Sequence, residues 1–230
     1  MKQGDIFSYF DMCQHEKTTL QRGMNYHIRP GVNILLMSLR PNAPYADRVE
    51  DDGKVLIYEG HDIQKNHTQL DPKEVDQPEF NPSGKRTQNG HFHFAAQKAK
   101  NSSNPEMVKV YEKLREGIWT YNGLFLLVDS WLEQSGTRKV FKFKLTLIEE
   151  ELGQEKKHQD IVIEHARMIP SSIKREVWLR DQGKCVECGS TDNLHFDHII
   201  PYSKGGSSLS AENIQLLCAR HNLKKRDKIE

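Results

Sequence analysis

The sequence predicts an α+β chain, a mostly β N-terminal part followed by a small metal-knotted C-terminal part, and three observations carry this. Phe141, Phe143, Leu145 and Leu147 alternate with Lys142, Lys144 and Thr146, the period of two that puts apolar side chains on one face of a strand. Further on, Ser171 and Ser172 offer N-cap side chains for a helix running to about Asp181, where Gly183 stops it. Finally, Cys185-x2-Cys188 and Cys218-x2-His221 have the spacing of two knuckles that complete one tetrahedral zinc site.

The totals bound the problem. A chain of 230 residues suits two modest domains, and the pattern divides it into 1–150, a charged linker over 151–170 and 171–230. The net charge is +1, with 22 basic against 23 acidic residues over 1–160 and 11 against 9 over 161–230. No general basic bias announces nucleic acid, so any phosphate contact has to come from a local cluster such as Lys224, Lys225 and Arg226 at the end of the chain, or from Lys204 in a glycine loop. No apolar run is long enough for a membrane span or a signal core, and the expectation is a cytoplasmic protein with no membrane partner. Three of the four cysteines crowd into the C-terminal part, which in a reducing compartment favours thiolate ligation over disulfides. Cys13 is left as a small buried apolar residue.

In chain order, the first thirty residues carry few regular signals. Ile34, Leu35, Leu36 and Met37 form a buried-strand run within 31–39, ended by Pro41. The acidic residues near Asp51 fall in a loop before a second strand, Val55, Leu56, Ile57 and Tyr58, which the Asp52-Gly53 turn introduces. Proline, glycine and asparagine dominate 64–89, a long surface excursion of the kind that often carries function. A short helix over 92–100, a strand near Val108 and Val110, and another from Tyr121 towards Trp131 complete a β domain with a strongly twisted or barrel-like sheet. Ile161 to Ile163 is a further strand candidate in the charged join.

Tyr45-x-Asp47-Arg48, Asp52-Gly53, Tyr58-x-Gly60, Thr87-Gln88-Asn89-Gly90 and Tyr121-x-Gly123-Leu124 with Trp131, in this order across about 4–148, resemble the SET-and-RING-associated (SRA) domain of the PUA-like barrel superfamily. That resemblance implies a reader of modified cytosine, which flips the base from double-stranded DNA into a pocket. It implies Tyr45 and Tyr58 as the stacking pair and Asp47 as the reader of the base's Watson–Crick edge. One extra residue between the two tyrosines keeps Asp51 and Asp52 as rivals for that edge. Thr87, Gln88 and Asn89 would enter the gap that the flipped base leaves. The chemistry suits the residue types: unstacking costs a few kcal/mol, aromatic stacking returns about 1–3 kcal/mol per base, and a carboxyl group accepts from the cytosine N4 amino group that thymine lacks.

The 29 residues between the zinc pairs hold Asp197-His198, the Gly205-Gly206 loop and Asn213. The order zinc pair, Asp-His, Asn, zinc pair over about 172–228 resembles the HNH endonucleases of the ββα-metal fold. The resemblance implies His198 as general base, Asp197 and Asn222 as ligands of a catalytic Mg²⁺ or Mn²⁺, and Asn213 as the residue holding the base-bearing loop. Cys185, Cys188, Cys218 and His221 would then bind a structural Zn²⁺, with His195 as the rival for the last ligand. Joined, the two resemblances imply a modification-dependent restriction endonuclease acting on DNA with 5-methylcytosine or 5-hydroxymethylcytosine; one such site cuts one strand, so a double-strand break needs a homodimer or successive nicks. Two rival readings stand beside it: a non-catalytic reader with a zinc-stabilised DNA-binding module, and an HNH nuclease that senses a different mark.

Overall fold

A computed structural model describes residues 1–65, 68–102, 104–148, 168–201 and 204–225, the side chain of Asp52 excepted. The chain is α+β as expected. In order come β1 (Ile6–Ser8), α1 (Tyr9–Glu16), β2 (Met24–Arg29), β3 (Val32–Met37), β4 (Arg48–Glu50), β5 (Val55–Glu59), α2 (Gln88–Ser102), β6 (Glu106–Arg115), β7 (Ile118–Ser135), β8 (Arg138–Leu147), α3 (Ser171–Arg180), β9 (Leu194–His198), β10 (Ile214–Cys218) and α4 (Ala219–Lys225). Among the described residues no helix is long and apolar enough to cross a membrane. The join at 149–167, with its candidate strand at 161–163, lies outside the described residues.

The large sheet runs β2-β3-β6-β7-β8-β5-β4, with β1 laid on β7. Only β3 and β6 pair in parallel; the other pairs are antiparallel. The unbroken apolar run of β3 has a physical reason, because both of its faces are covered. Leu35 and Met37 join Phe92, Ala95 and Ala96 of α2 in one core, while Ile34 and Leu36 join Met12 of α1, Trp119 and Tyr121 in another. Register shifts between β6 and β7 and between β7 and β8 mark bulges, which bend an 18-residue strand that would otherwise lie flat. At one of them Gly123 has φ 115°, and a Cβ there would stand 2.9 Å from Leu147 Cδ1.

Four expectations change. The weakly patterned first thirty residues form β1, α1 and β2, and α1 escaped notice because one of its two buried side chains is Glu16, held by Lys109, Arg29 and the Tyr111 hydroxyl. Part of the acidic loop becomes the short strand β4, with Val49 opposite Leu56 of β5. The helix expected over 92–100 starts earlier, at Gln88. Cys13 is half-buried rather than buried, packed against the Met12 core.

The C-terminal part is the β9–β10 hairpin flanked by α3 and α4, with a core of Val177, Leu194, Phe196, Ile214, Leu216 and Leu217. It is packed directly on the large sheet. Leu114, Ile6 and Ile118 enter the same core, and the Phe196 N–H donates to the Gly4 carbonyl at 3.1 Å. His195 Nδ1 lies 2.6 Å from Asp5. Lys174 of α3, 2% exposed, puts Nζ 2.8 Å from Glu112 Oε2 and 2.6 Å from Asn122 Oδ1. Burial alone would raise the Glu112 carboxyl; the ammonium of Lys174 outweighs it and leaves Glu112 below its ordinary range.

Candidate nuclease centre and base-reading site

On the large sheet, Tyr45, Asp47 and Tyr58 come together around the start of β4 and the end of β5. Asp47 Oδ1 accepts from the Glu59 N–H at 2.9 Å and Oδ2 from the Ser38 N–H at 3.3 Å. Burial pushes its carboxyl up to about 7, against those two N–H donors; the Glu59 carboxylate pushes the same way and Lys142 opposes it. Beneath lies a buried charge layer: Lys142 Nζ sits 2.8 Å from Glu59, and Arg138 sits 2.6 Å from Asp62. Lys142 belongs to the alternate face of β8 that the period-two pattern assigns to polar side chains; it is buried because Glu59 and the Ala46 carbonyl receive it.

The Tyr45 ring is stacked on His61, at 5.7 Å between centroids and 23° between planes. Tyr58 is 1% exposed in the core, with its hydroxyl 3.3 Å from His61 Nε2. His61 Nε2 also accepts from the Met24 N–H at 3.2 Å, and burial drives the imidazole down to about 4, so it stays neutral. Sequence reasoning missed His61; the available signal was a histidine directly after the Tyr58-x-Gly60 motif. Lys73 holds its ammonium 4.2 Å from the Tyr45 ring centroid.

Thr87, Gln88 and Asn89, which the resemblance would send into the gap left by a flipped base, sit at the start of α2. The Thr87 hydroxyl caps α2 by accepting from the Gly90 N–H, Gln88 accepts from the Tyr26 N–H, and Asn89, 1% exposed, bonds both the N–H and the carbonyl of His61. All three are occupied in holding the start of α2 against β2 and the segment after β5. Asp51 lies in a 3-10 turn past the end of β4, away from the two N–H groups that fix Asp47.

In the C-terminal part, Cys185, Cys188, Cys218 and His221 converge, with ligand atoms all within 4.8 Å of one another. Cys185 Sγ and Cys218 Sγ each lie 3.4 Å from His221 Nδ1, and Cys188 Sγ lies 3.9 Å from Cys218 Sγ. Burial would raise the Cys185 thiol, but backbone N–H groups of Cys218, Cys188 and Glu187 carry it down to about 6, towards the thiolate a metal needs. His195 is turned away, towards Asp5.

Beside this knot, β9 ends in Asp197 and His198, opposite Gln215 and Ile214 of β10. His198 Nε2 lies 2.8 Å from the buried Ser208 hydroxyl, a partner that sequence reasoning did not pick out. In the tautomer that carries its proton on Nε2 and donates it to Ser208, Nδ1 is the nitrogen that can take a proton. Burial first, and the Lys225 cation after it, lower the imidazole from its ordinary value, while Asp197 opposes them. Asn213 straps the intervening loop: Oδ1 accepts from the Ile200 N–H at 2.8 Å, and Nδ2 donates to the Ile200 and Ser207 carbonyls at 3.0 Å each. Gly206 permits that closeness, since a Cβ there would fall 1.7 Å from the Ile200 carbonyl oxygen. Among the described residues, hydrogen bonds engage only Oδ2 of Asp197.

The sequence of this part matches the family model described as HNH endonuclease, over residues 185–228. Over this segment the chain is similar to HNH endonucleases. Comparison with curated proteins gives no match. Among solved structures, the chain is similar to the SRA domain of SUVH5 in complex with methylated CHH DNA (26% identity, TM-score 0.46, covering 68% of this chain and 92% of that one). It is similar also to that domain bound to fully hydroxymethylated CG DNA (24%, 0.44, 66% and 91%) and to SUVH6 of Arabidopsis thaliana in complex with SAM (23%, 0.43, 68% and 27%).

The Cys₃His set of the HNH domain is compatible with structural zinc in number, softness and spacing. Of the basic residues expected to meet phosphate, Lys204 and Lys224 are exposed, and Arg226 lies outside the described residues. Lys225 differs from them. It is 2% exposed and points inward, because the last turn of α4 packs on the hairpin and Asp197 receives its ammonium at 2.5 Å. Asn222 is half-buried on the same helix, one residue past His221.

Proposed function

We propose that the chain is a modification-dependent DNA endonuclease, in which the part over 1–150 flips and reads 5-methylcytosine or 5-hydroxymethylcytosine and the HNH domain over 171–230 hydrolyses a nearby phosphodiester. For hydrolysis the reading rests on the convergence of Asp197, His198 and Asn213 beside the Cys₃His knot. His198 takes a proton from water through Nδ1, Asn213 holds the loop carrying its Ser208 partner, and Asp197 with Asn222 offers oxygen ligands to Mg²⁺ or Mn²⁺. When bound, such an ion stabilises the charge that builds on phosphate and leaving oxygen. Lys204 and Lys224, both exposed, meet the backbone in this reading. Both strands are cut by a homodimer or by successive nicks.

For the base, the reading rests on the Asp47 carboxyl, fixed by two backbone N–H groups beside the Tyr45–His61 stack and near Tyr58. Its raised pKa suits cytosine: a protonated carboxyl donates to N3 while accepting from the N4 amino group, whereas the carboxylate faces the N3 lone pair. Binding then takes up a proton, so affinity is highest below about pH 7 and falls above it, by at most about tenfold per pH unit. Asp47→Ala loses both the preference and the pH dependence, and Asp47→Asn is no isostere here, because its NH₂ cannot accept from the Glu59 or Ser38 N–H. Binding titrations from pH 6 to 8 on modified and plain duplexes read both, and an unchanged preference in Asp47→Ala moves the role elsewhere.

The overall test is a digest of matched duplexes, unmodified, methylated and hydroxymethylated, with Mg²⁺ or Mn²⁺ present. Cutting confined to modified DNA is the expected result. Equal cutting of all three refutes the reader, and no cutting of any refutes the nuclease assignment.

A further inference from the structure

Lys225 is an unusual neighbour for a metal ligand. Its ammonium is buried, lies 2.5 Å from Asp197 Oδ2 and also donates to the His198 carbonyl. Gln215, the cross-strand partner of Asp197, approaches the same oxygen with Nε2 at 3.4 Å. Oδ2 is therefore taken, and Oδ1 is the oxygen left for an ion. Of Asp197, His198, Asn213 and Asn222, only Asp197 is acidic, and one ammonium already balances it.

Among the described residues Asp197, His198, Asn213, Asn222 and Lys225, a divalent ion arriving at Oδ1 meets no net negative charge and a fixed cation bonded to the other oxygen of the one carboxylate. At partly buried sites, charge–charge terms over a few ångströms amount to several kcal/mol, and a buried ammonium cannot turn away into solvent without losing its partner. Loading becomes favourable once another anion joins the site. The scissile phosphate is such an anion, and it comes with the substrate.

We propose that Lys225 is an internal counter-ion that holds Asp197 by Oδ2 and keeps the HNH domain from loading its divalent ion until a DNA phosphate arrives. It is a positioning residue that acts through Asp197, and the inference rests on Asp197 being a ligand of the catalytic ion. Ion binding and DNA binding are then reciprocally coupled. A free enzyme carries little bound ion, and the ion is recruited where a phosphate is already in place.

The experiment counts free Mn²⁺ by electron paramagnetic resonance during titration of the zinc-loaded full-length chain, in a His198→Ala background so that DNA stays intact. It is run without DNA and with a 5-methylcytosine duplex at saturating concentration. The expected result is Mn²⁺ affinity at least tenfold higher with DNA. Lys225→Met should raise the DNA-free affinity at least tenfold and shrink the gain from DNA, whereas Lys225→Arg should behave as the parent. Unchanged or weaker DNA-free binding by Lys225→Met overturns the proposal. If that variant does not fold, the parent decides alone, because equal affinity with and without DNA overturns the proposal while leaving the nuclease reading intact. Asp197→Asn separates the two: undiminished Mn²⁺ binding in the presence of DNA by that variant removes the ligand assignment itself, and with it this inference.

Discussion

His198→Ala is expected to lower the cleavage rate by about 10²–10⁴-fold, the range typical for loss of a general base, with modified-DNA affinity within twofold of the parent. The separation follows from geometry. His198 ends β9 and touches Ser208, whereas Asp47, Tyr45 and Tyr58 sit on the large sheet around β5. The substitution removes a half-buried ring from the loop side of the hairpin and leaves the Val177, Leu194, Ile214 core untouched. The pH profile of the parent carries a second signature. Burial lowers the His198 pKa below the ordinary imidazole value, so the deprotonated base is already present at neutral pH. The rate should rise with pH only in the acid range and be flat in this group's titration above it. Single-turnover cleavage beside a binding titration checks both, and a His198→Ala protein that still cuts at the parental rate refutes the assignment.

Zinc removal should have the other large effect. Cys185 and Cys218 are themselves part of the core with Leu194, Phe196 and Leu216, and a unit of this size builds only a small apolar core of its own beyond what Ile6, Leu114 and Ile118 add. Structural zinc in such units contributes about 10–16 kcal/mol of binding free energy that appears as folding free energy. A strong chelator, or Cys185→Ser, should therefore unfold the hairpin and α4 and abolish cleavage, with no rescue by added Mg²⁺. Zinc content measured alongside thermal unfolding tests this, and a chain freed of zinc that retains its unfolding transition and its cleavage would contradict it.

What was legible follows the range of the forces involved. The Phe141 to Leu147 alternation and the Ile34 to Met37 run report burial one residue at a time, and both emerge as β8 and β3. Metal ligands are legible because the turn at Cys185–Cys188 and the step from β10 into the first turn of α4 each supply a pair of donors, which fixes the x2 spacings. Lys225 was not legible: a lysine in a basic helix end looks the same in sequence whether it faces solvent or a carboxylate brought from β9 by the fold. The contacts of Thr87, Gln88 and Asn89 were illegible for the same reason, since their partners, Tyr26, Pro78 and His61, lie elsewhere in the chain. Glu16, Lys142 and Lys174 show the general form. A buried charge reads as surface until its partner is known, and each partner here is supplied by a different element.

The first eight residues close two open edges at once. β1 occupies the margin of β7 from Ile118 to Thr120, just before β8 takes over that margin from Phe125 onward, and Gly4 satisfies the Phe196 N–H on the outer side of β9. An unpaired strand margin is a template for a strand from another molecule. Loss of this segment would therefore bare backbone donors and acceptors on both sheets, next to Ile6 and Ile118 contacts that are now buried together. The segment thus covers strand margins on both sheets that would otherwise be open to pairing.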